Sequence, residues 1–295
     1  MGRQGTRGLL ALALVGLGAW GSGAHSDEPL TVGGPERPAA VVLPSAFDSD
    51  AALPLVLQLH GYGMRNWAMD RYVGGSKLAE QRGLILIRPS GTVDQVGKRF
   101  WNATTACCDF DGTGVDDVAY LRGLIDEAVA RFPVDTGRIV VVGYSNGAFM
   151  AQRMACDAAD RVTGVVGLSG SGELAADACQ PTQPVAMVLV HSRGDGTVDY
   201  GGGVIRGKAY PGIAQVADRW AALNRCSDTP VPRGWRNLLH GLWAETRVHV
   251  ADRCAPTGPV QLWELEGSPH YDPRMRSPGM LDQALDVVLA ADRTP

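Results

Sequence analysis

Apolar residues along this chain fall into two alternating patterns. Short continuous runs at 39–43, 53–60, 84–88, 139–142, 163–168, 185–191 and 260–266 are rich in Val, Ile and Leu. Runs of that length predict strands buried on both faces. Between them, apolar residues recur at helical spacing over 66–82, over 115–132, in the segment after residue 145, over 216–223 and over 278–291. Strands alternating with helices predict parallel pairing and a sheet covered on both sides, the α/β class. Two long stretches fall outside the alternation: 89–113, and a Trp-bearing excursion from Cys226 to Cys254 that reads as irregular. Long loops in compact domains are commonly functional.

The N-terminus departs from this pattern. Arg3 and Arg7 precede an apolar run from Gly8 to Trp20, followed by Ser22-Gly23-Ala24. A positive start, a run too short to span a bilayer comfortably and a small-residue end predict a secretory signal peptide over 1–24, with an uncleaved anchor as the alternative. The remainder, 25–295, suits one large catalytic domain.

Composition narrows the partners. A formal net charge of −4 with no basic stripe argues against nucleic acid, and no later stretch is apolar enough to hold the chain in a membrane. A monomer is the expectation. Six cysteines in an exported chain predict disulfides, and the absence of CxxC and HExxH motifs argues against a metal centre or any other cofactor.

The chemistry centres on residues 138–150, RIVVVGYSNGAFM. A β-branched run entering Gly-Tyr-Ser-Asn-Gly and leaving as a helix predicts a nucleophile elbow, with Gly143 and Gly147 making room for a tight turn that exposes Ser145. Read blandly, Ser145 only caps the next helix. Two further strand ends decide between these. The run 185–191 ends at His191-Ser192-Arg193-Gly194-Asp195, and the last strand ends at Gly267-Ser268-Pro269-His270. Ser145, Asp195 and His270 therefore follow strands in the chain order of an α/β-hydrolase triad. A serine hydroxyl needs an imidazole to take its proton, and the imidazole needs a carboxylate to hold its tautomer. Asp199 is the rival acid. Of the other histidines, His25, His191, His240 and His249 are poorly placed, and His60 is expected to tie down its own loop. The oxyanion hole falls to the backbone N–H groups of Asn146 and Tyr62, the latter in the glycine-rich turn His60-Gly61-Tyr62-Gly63. Because those are main-chain groups, Asn146→Ala is expected to be mild. Asp116 and Asp117 suit the positive end of the following helix.

Taken together, HGYG, RFWNAT followed by CC, GVDDVAYL, GYSNG followed by MACD, and the loop carrying His270 resemble the secreted polyhydroxybutyrate depolymerase and feruloyl esterase group over roughly residues 36 to 290. The resemblance implies a metal-free α/β-hydrolase that cleaves esters through a Ser145, Asp195 and His270 acyl-enzyme route. Departures accompany it. His191-Ser192-Arg193 and Val198-Asp199-Tyr200 stand where relatives usually have His-Gly-Thr and Val-Pro-Tyr, and Ser268-Pro269 stands where many have Gly-Gly. Acyl transfer with the same triad, or a non-catalytic carbohydrate-binding relative, are the alternative functions. In the expected fold the elbow helix runs away from the active-site edge, which places Cys156 near Cys179 and leaves Cys226 with Cys254 and Cys107 with Cys108. Trp101, Trp235 and Trp243 are candidates for an apolar wall, Trp101 foremost as a substrate-binding residue.

Overall fold

The structure, a computed structural model, describes residues 1–2, 29–239, 241, 243–276 and 279–291. Apart from Met1 and Gly2, the signal peptide expected over 1–24 lies outside the described residues, as does His240. In chain order the elements are β1 (Thr31–Val32), β2 (Ala39–Val42), β3 (Leu53–Leu59), α1 (Asn66–Val73), α2 (Gly75–Arg82), β4 (Ile85–Arg88), β5 (Thr92–Val93), β6 (Arg99–Phe100), α3 (Asp117–Arg131) and β7 (Val134–Tyr144). There follow α4 (Asn146–Asp157), β8 (Gly164–Leu168), β9 (Ala186–Ser192), β10 (Gly202–Ile205), β11 (Lys208–Pro211), α5 (Ile213–Leu223), β12 (Val231–Arg236), β13 (Thr246–Val250), β14 (Val260–Leu265) and α6 (Gly279–Leu289).

A ten-stranded sheet in the order β1-β2-β4-β3-β7-β8-β9-β14-β13-β12 forms the frame. Its middle, from β4 to β14, is parallel, and both margins are antiparallel. The unbroken apolar runs have a direct cause. Alternate residues of a strand face opposite sides, and here both sides are covered. Leu55, Leu57 and Leu59 pack with Leu121, Phe149 and Trp220 of α3, α4 and α5. Val56 faces the other way, into a core with Tyr72, Leu78 and Leu285 of α1, α2 and α6. Because the parallel strands run the same way, their carboxyl ends collect at one edge, where ligands of open α/β sheets bind.

Two expectations are corrected. The helix expected over 66–82 is two helices, separated at Gly74, which takes φ 69° and closes α1 with its N–H on the Asp70 carbonyl at 2.8 Å. The excursion 226–254 is not irregular: β12 and β13 pair with each other and with β14, extending the sheet. Every residue of β12 is exposed, and Pro232 and Gly234 interrupt it with a register shift, so it carries no apolar alternation. Proline and a bulge are tolerated on an edge strand. The expectation for Asp116 and Asp117 holds: Asp116 caps α3, accepting the Ala119 N–H at 2.9 Å, and Asp117 stands in the first turn of the helix, buried against Arg37 at 2.6 Å.

The cysteines pair as expected, Cys107 with Cys108, Cys156 with Cys179 and Cys226 with Cys254, leaving no free thiol among the described residues. The last of these ties the end of α5 to the turn after β13, close to the strand that leads to His270.

Candidate active site

Ser145 is one of the non-glycine residues with a positive φ. It sits at φ 54°, ψ −120° between β7 and α4, a conformation costly for any residue with a Cβ. The glycines on either side make it possible. A Cβ on Gly143 would lie 2.0 Å from the Gly147 carbonyl oxygen, and one on Gly147 would lie 2.3 Å from the Leu59 carbonyl oxygen. The turn is thus pressed against both its own helix and the neighbouring strand β3, with the Ser145 N–H held by the Leu168 carbonyl at 2.8 Å.

Two loops bring the other groups to the serine. His270, in the loop after β14, places Nε2 3.0 Å from Ser145 Oγ and Nδ1 2.7 Å from Asp195 Oδ2. A neutral imidazole has one N–H, so with Nδ1 donating to the carboxylate, Nε2 is the acceptor for the serine hydroxyl. Asp195, in the loop after β9, is buried. Burial raises its carboxyl, but the His270 hydrogen bond and charge and the Val198 and Thr197 N–H groups outweigh this and hold it below the usual carboxylate range. Asp199, the rival acid, is committed elsewhere: its Oδ1 accepts the Gly201 N–H at 2.7 Å. His191 contacts neither Ser145 nor His270 by hydrogen bond. Its Nε2 stands 4.0 Å from Asp195 Oδ2, and burial lowers its pKa.

Against the elbow at Gly147 lies the turn after β3. Gly61 accepts the Met64 N–H at 3.0 Å and Gly63 takes φ 75°, the signature of a type II turn. No protein acceptor meets the backbone N–H of Tyr62 or of Asn146 among the described residues, so both donors are open. The stretch 89–113, which reads from sequence as a long loop, braces this turn. The Gly91 N–H meets His60 Nε2 at 2.9 Å while His60 Nδ1 faces the Gly61 carbonyl at 2.9 Å. Accepting at one nitrogen and donating at the other, His60 must be neutral, and its burial pushes its pKa down to about 4. Gly63 N–H donates to the Arg99 carbonyl at 2.8 Å, and Tyr62 OH to Asp94 at 2.5 Å.

Trp101 does not form a wall. It is wholly buried, its indole N–H donates to the His60 carbonyl at 2.9 Å, and it has no surface to offer a substrate. Trp235 and Trp243 are exposed, Trp235 near Arg247 on the neighbouring strand. Sequence reading also missed two supports. The Asn146 side chain binds the Trp101 backbone. Ser268 Oγ donates to Asp272 at 2.7 Å, Arg274 clamps the same carboxylate, and Tyr72 OH accepts the Asp272 N–H, closing the loop around His270. An Asp two residues beyond the histidine and a Ser two before it are the only trace of that clamp in the sequence.

A cavity of about 420 Å³ lies elsewhere, between α4, α5 and the loop at 102–105, and none of Ser145, Asp195 and His270 lines it. Its polar groups are engaged with one another: Gln152 with Trp220 and Ser171, Arg153 with Asp157, Arg219 with the Glu173 carbonyl.

Comparison with known proteins agrees with this fold. Residues 109–217 match the family model described as Phospholipase/Carboxylesterase. Feruloyl esterase B of Piromyces equi is 28% identical over 207 residues, covering 66% of this chain and 37% of that protein. The probable feruloyl esterase C of Aspergillus clavatus is 29% identical over 167 residues, covering 55% of this chain and 56% of its own length. The chain therefore spans between about a third and a little over half of these relatives. An acetyl xylan esterase from Aspergillus awamori superimposes with a TM-score of 0.58 at 15% identity, over 80% of this chain and 90% of that one, and shows the same fold.

Proposed function

We propose, from the premise that this chain is a member of the α/β-hydrolase esterase group, that it is an exported serine carboxylic ester hydrolase working through an acyl-enzyme. The observation that carries the reading is the continuous path from Asp195 through His270 to Ser145, at 2.7 and 3.0 Å, beside two open backbone N–H groups. Ser145 Oγ attacks the ester carbonyl and its proton passes to His270 Nε2. The imidazolium so formed is stabilised and held in place by Asp195. Negative charge grows on the former carbonyl oxygen, which the Tyr62 and Asn146 N–H groups receive, a contribution worth roughly 3 to 4 kcal/mol per donor. His270 then gives its proton to the departing alkoxide. A water molecule, deprotonated by the same imidazole, adds to the acyl-enzyme, and the carboxylic acid leaves as Ser145 recovers its proton.

Three disulfides among six cysteines support export into an oxidising compartment. The names of the relatives, feruloyl esterase and acetyl xylan esterase, favour acyl groups on plant polysaccharide over hydroxybutyrate oligomers. A panel of nitrophenyl acetate, methyl ferulate, acetylated xylan and hydroxybutyrate oligomers tests both levels. Turnover of the nitrophenyl ester with preference for ferulate or acetylated xylan is the expected result. No turnover of any member would contradict the esterase reading, and preference for the hydroxybutyrate oligomers would contradict the substrate class.

A further inference from the structure

A cavity of about 360 Å³, lined by Trp67, Ala68, Arg71, Tyr271 and Arg276, adjoins the loop that carries His270. We propose that this shelf receives the alcohol half of the ester, and that this half carries a carboxylate; the proposal rests on the esterase reading above. Position is the first reason. Tyr271 follows His270 directly, and its ring stacks on Tyr72 at 4.4 Å and 18°. Tyr72 meets Tyr144 edge-on at 4.9 Å, and Tyr144, the neighbour of Ser145, donates its OH to the His270 carbonyl at 3.0 Å. The floor of the shelf is thereby fixed to the two residues that handle the proton. Because the imidazole delivers its proton to the departing alkoxide, the alcohol half must lie on the His270 side of Ser145.

Composition is the second reason. The lining holds two guanidinium groups and no carboxylate, in a chain whose 31 acids outnumber its 27 Lys and Arg. Neither Arg71 nor Arg276 has an ion-pair partner among the described residues, whereas Arg274 on the same loop is taken by Asp272 and Arg82 on α2 by Asp282 and Asp286. Beside these guanidiniums stand two exposed aromatic rings, Trp67 at 54% and Tyr271 at 44%. A flat ring or short chain lying on the aromatics would direct a carboxylate to the guanidinium forks. Two alcohols have this chemistry, a uronosyl sugar and the free end of a hydroxy-acid oligomer.

Two pairs of esters separate them: an acetylated uronosyl disaccharide with its methyl uronate, and a hydroxybutyrate dimer with its methyl ester. In one pair the free acid should be hydrolysed roughly tenfold more efficiently by kcat/KM, and that pair identifies the source. The preference should shrink in about 0.5 M salt, since exposed charges are screened. It should fall close to unity in Arg71→Gln/Arg276→Gln and survive in part in Arg71→Lys/Arg276→Lys. Each preference is a ratio within one protein, so it does not depend on how much of a variant folds. Equal rates on acid and neutral esters in both pairs, or a preference retained by the Gln double variant, would overturn the proposal. Failure to hydrolyse any of the four esters, with no fluorophosphonate adduct on Ser145, would instead contradict the esterase reading beneath it.

Discussion

The side-chain amide of Asn146 pairs with the backbone of Trp101 in both directions, Oδ1 accepting the Trp101 N–H at 2.8 Å and Nδ2 donating to the Trp101 carbonyl at 2.9 Å. Asn146 is buried, so truncation would strand the Trp101 N–H away from water and leave the Trp101 carbonyl with the Cys108 N–H alone. Asn146→Ala should therefore lower stability by roughly 1 to 3 kcal/mol, and reduce kcat because the same pairing positions the N–H proposed to receive the oxyanion. Denaturant unfolding and steady-state kinetics on a nitrophenyl ester check both effects. The expectation of a mild effect, drawn from the main-chain N–H alone, takes no account of this pairing. It joins residues 45 apart, and no local pattern announces it.

The elbow makes a steric prediction. A Cβ on Gly147 would come within 2.3 Å of the Leu59 carbonyl oxygen and 2.7 Å of that of His60, and both are backbone atoms that cannot swing aside. Gly147→Ala should cost more than about 4 kcal/mol or prevent folding. Gly123→Ala, with nothing within 4 Å of its Cβ, is the control. Soluble yield and thermal unfolding distinguish the two.

The acid assignment rests on which carboxylate the imidazole meets. Asp195→Asn should lower kcat by about 10³ to 10⁴, as expected when the histidine loses the partner that sets its tautomer. Asp199→Asn, whose carboxylate serves the turn at Gly201, should leave kcat/KM near the wild-type value. Kinetics on both variants settle the choice, and the reverse pattern would make Asp199 the acid.

Stability should fall with acid well above the carboxylate range. His60 is held neutral to about pH 4 in the folded protein, against an ordinary value of 6.5, chiefly by burial. Between those values the unfolded chain binds a proton that the folded chain refuses. Folding stability present above about pH 6.5 is therefore lost as pH falls, at up to about 1.4 kcal/mol per pH unit from this residue. His191, also lowered by burial, adds in the same direction. Urea unfolding at pH 7, 6 and 5 should show the slope in the wild type and a shallower one in His60→Gln. An unchanged slope would contradict the neutral clamp.

Much of this architecture was legible because its cause is local. Leu55, Val56 and Leu57 are all apolar because helices lie on both sides of β3, and a run so covered reads as a strand. Ser145, Asp195 and His270 each follow such a run, and parallel strands gather their ends at one edge. What escaped the sequence depends on long-range contact or on edges. Trp101 reads as a ligand wall, yet it is sealed under the turn it supports. β12 is a solvent-exposed edge strand and shows no alternation to read. The Ser268, Asp272 and Arg274 clamp is short in sequence but acquires meaning only when Tyr72, 200 residues away, accepts the Asp272 N–H at 3.1 Å.

The central claim is that Ser145 is the nucleophile of an acyl-enzyme. Treating the protein with a fluorophosphonate and locating the adduct by mass spectrometry tests it most directly. One adduct per chain on Ser145, with parallel loss of ester hydrolysis and no adduct in Ser145→Ala, is the result the account predicts. An adduct on another residue, or hydrolysis that persists undiminished in Ser145→Ala, would contradict it.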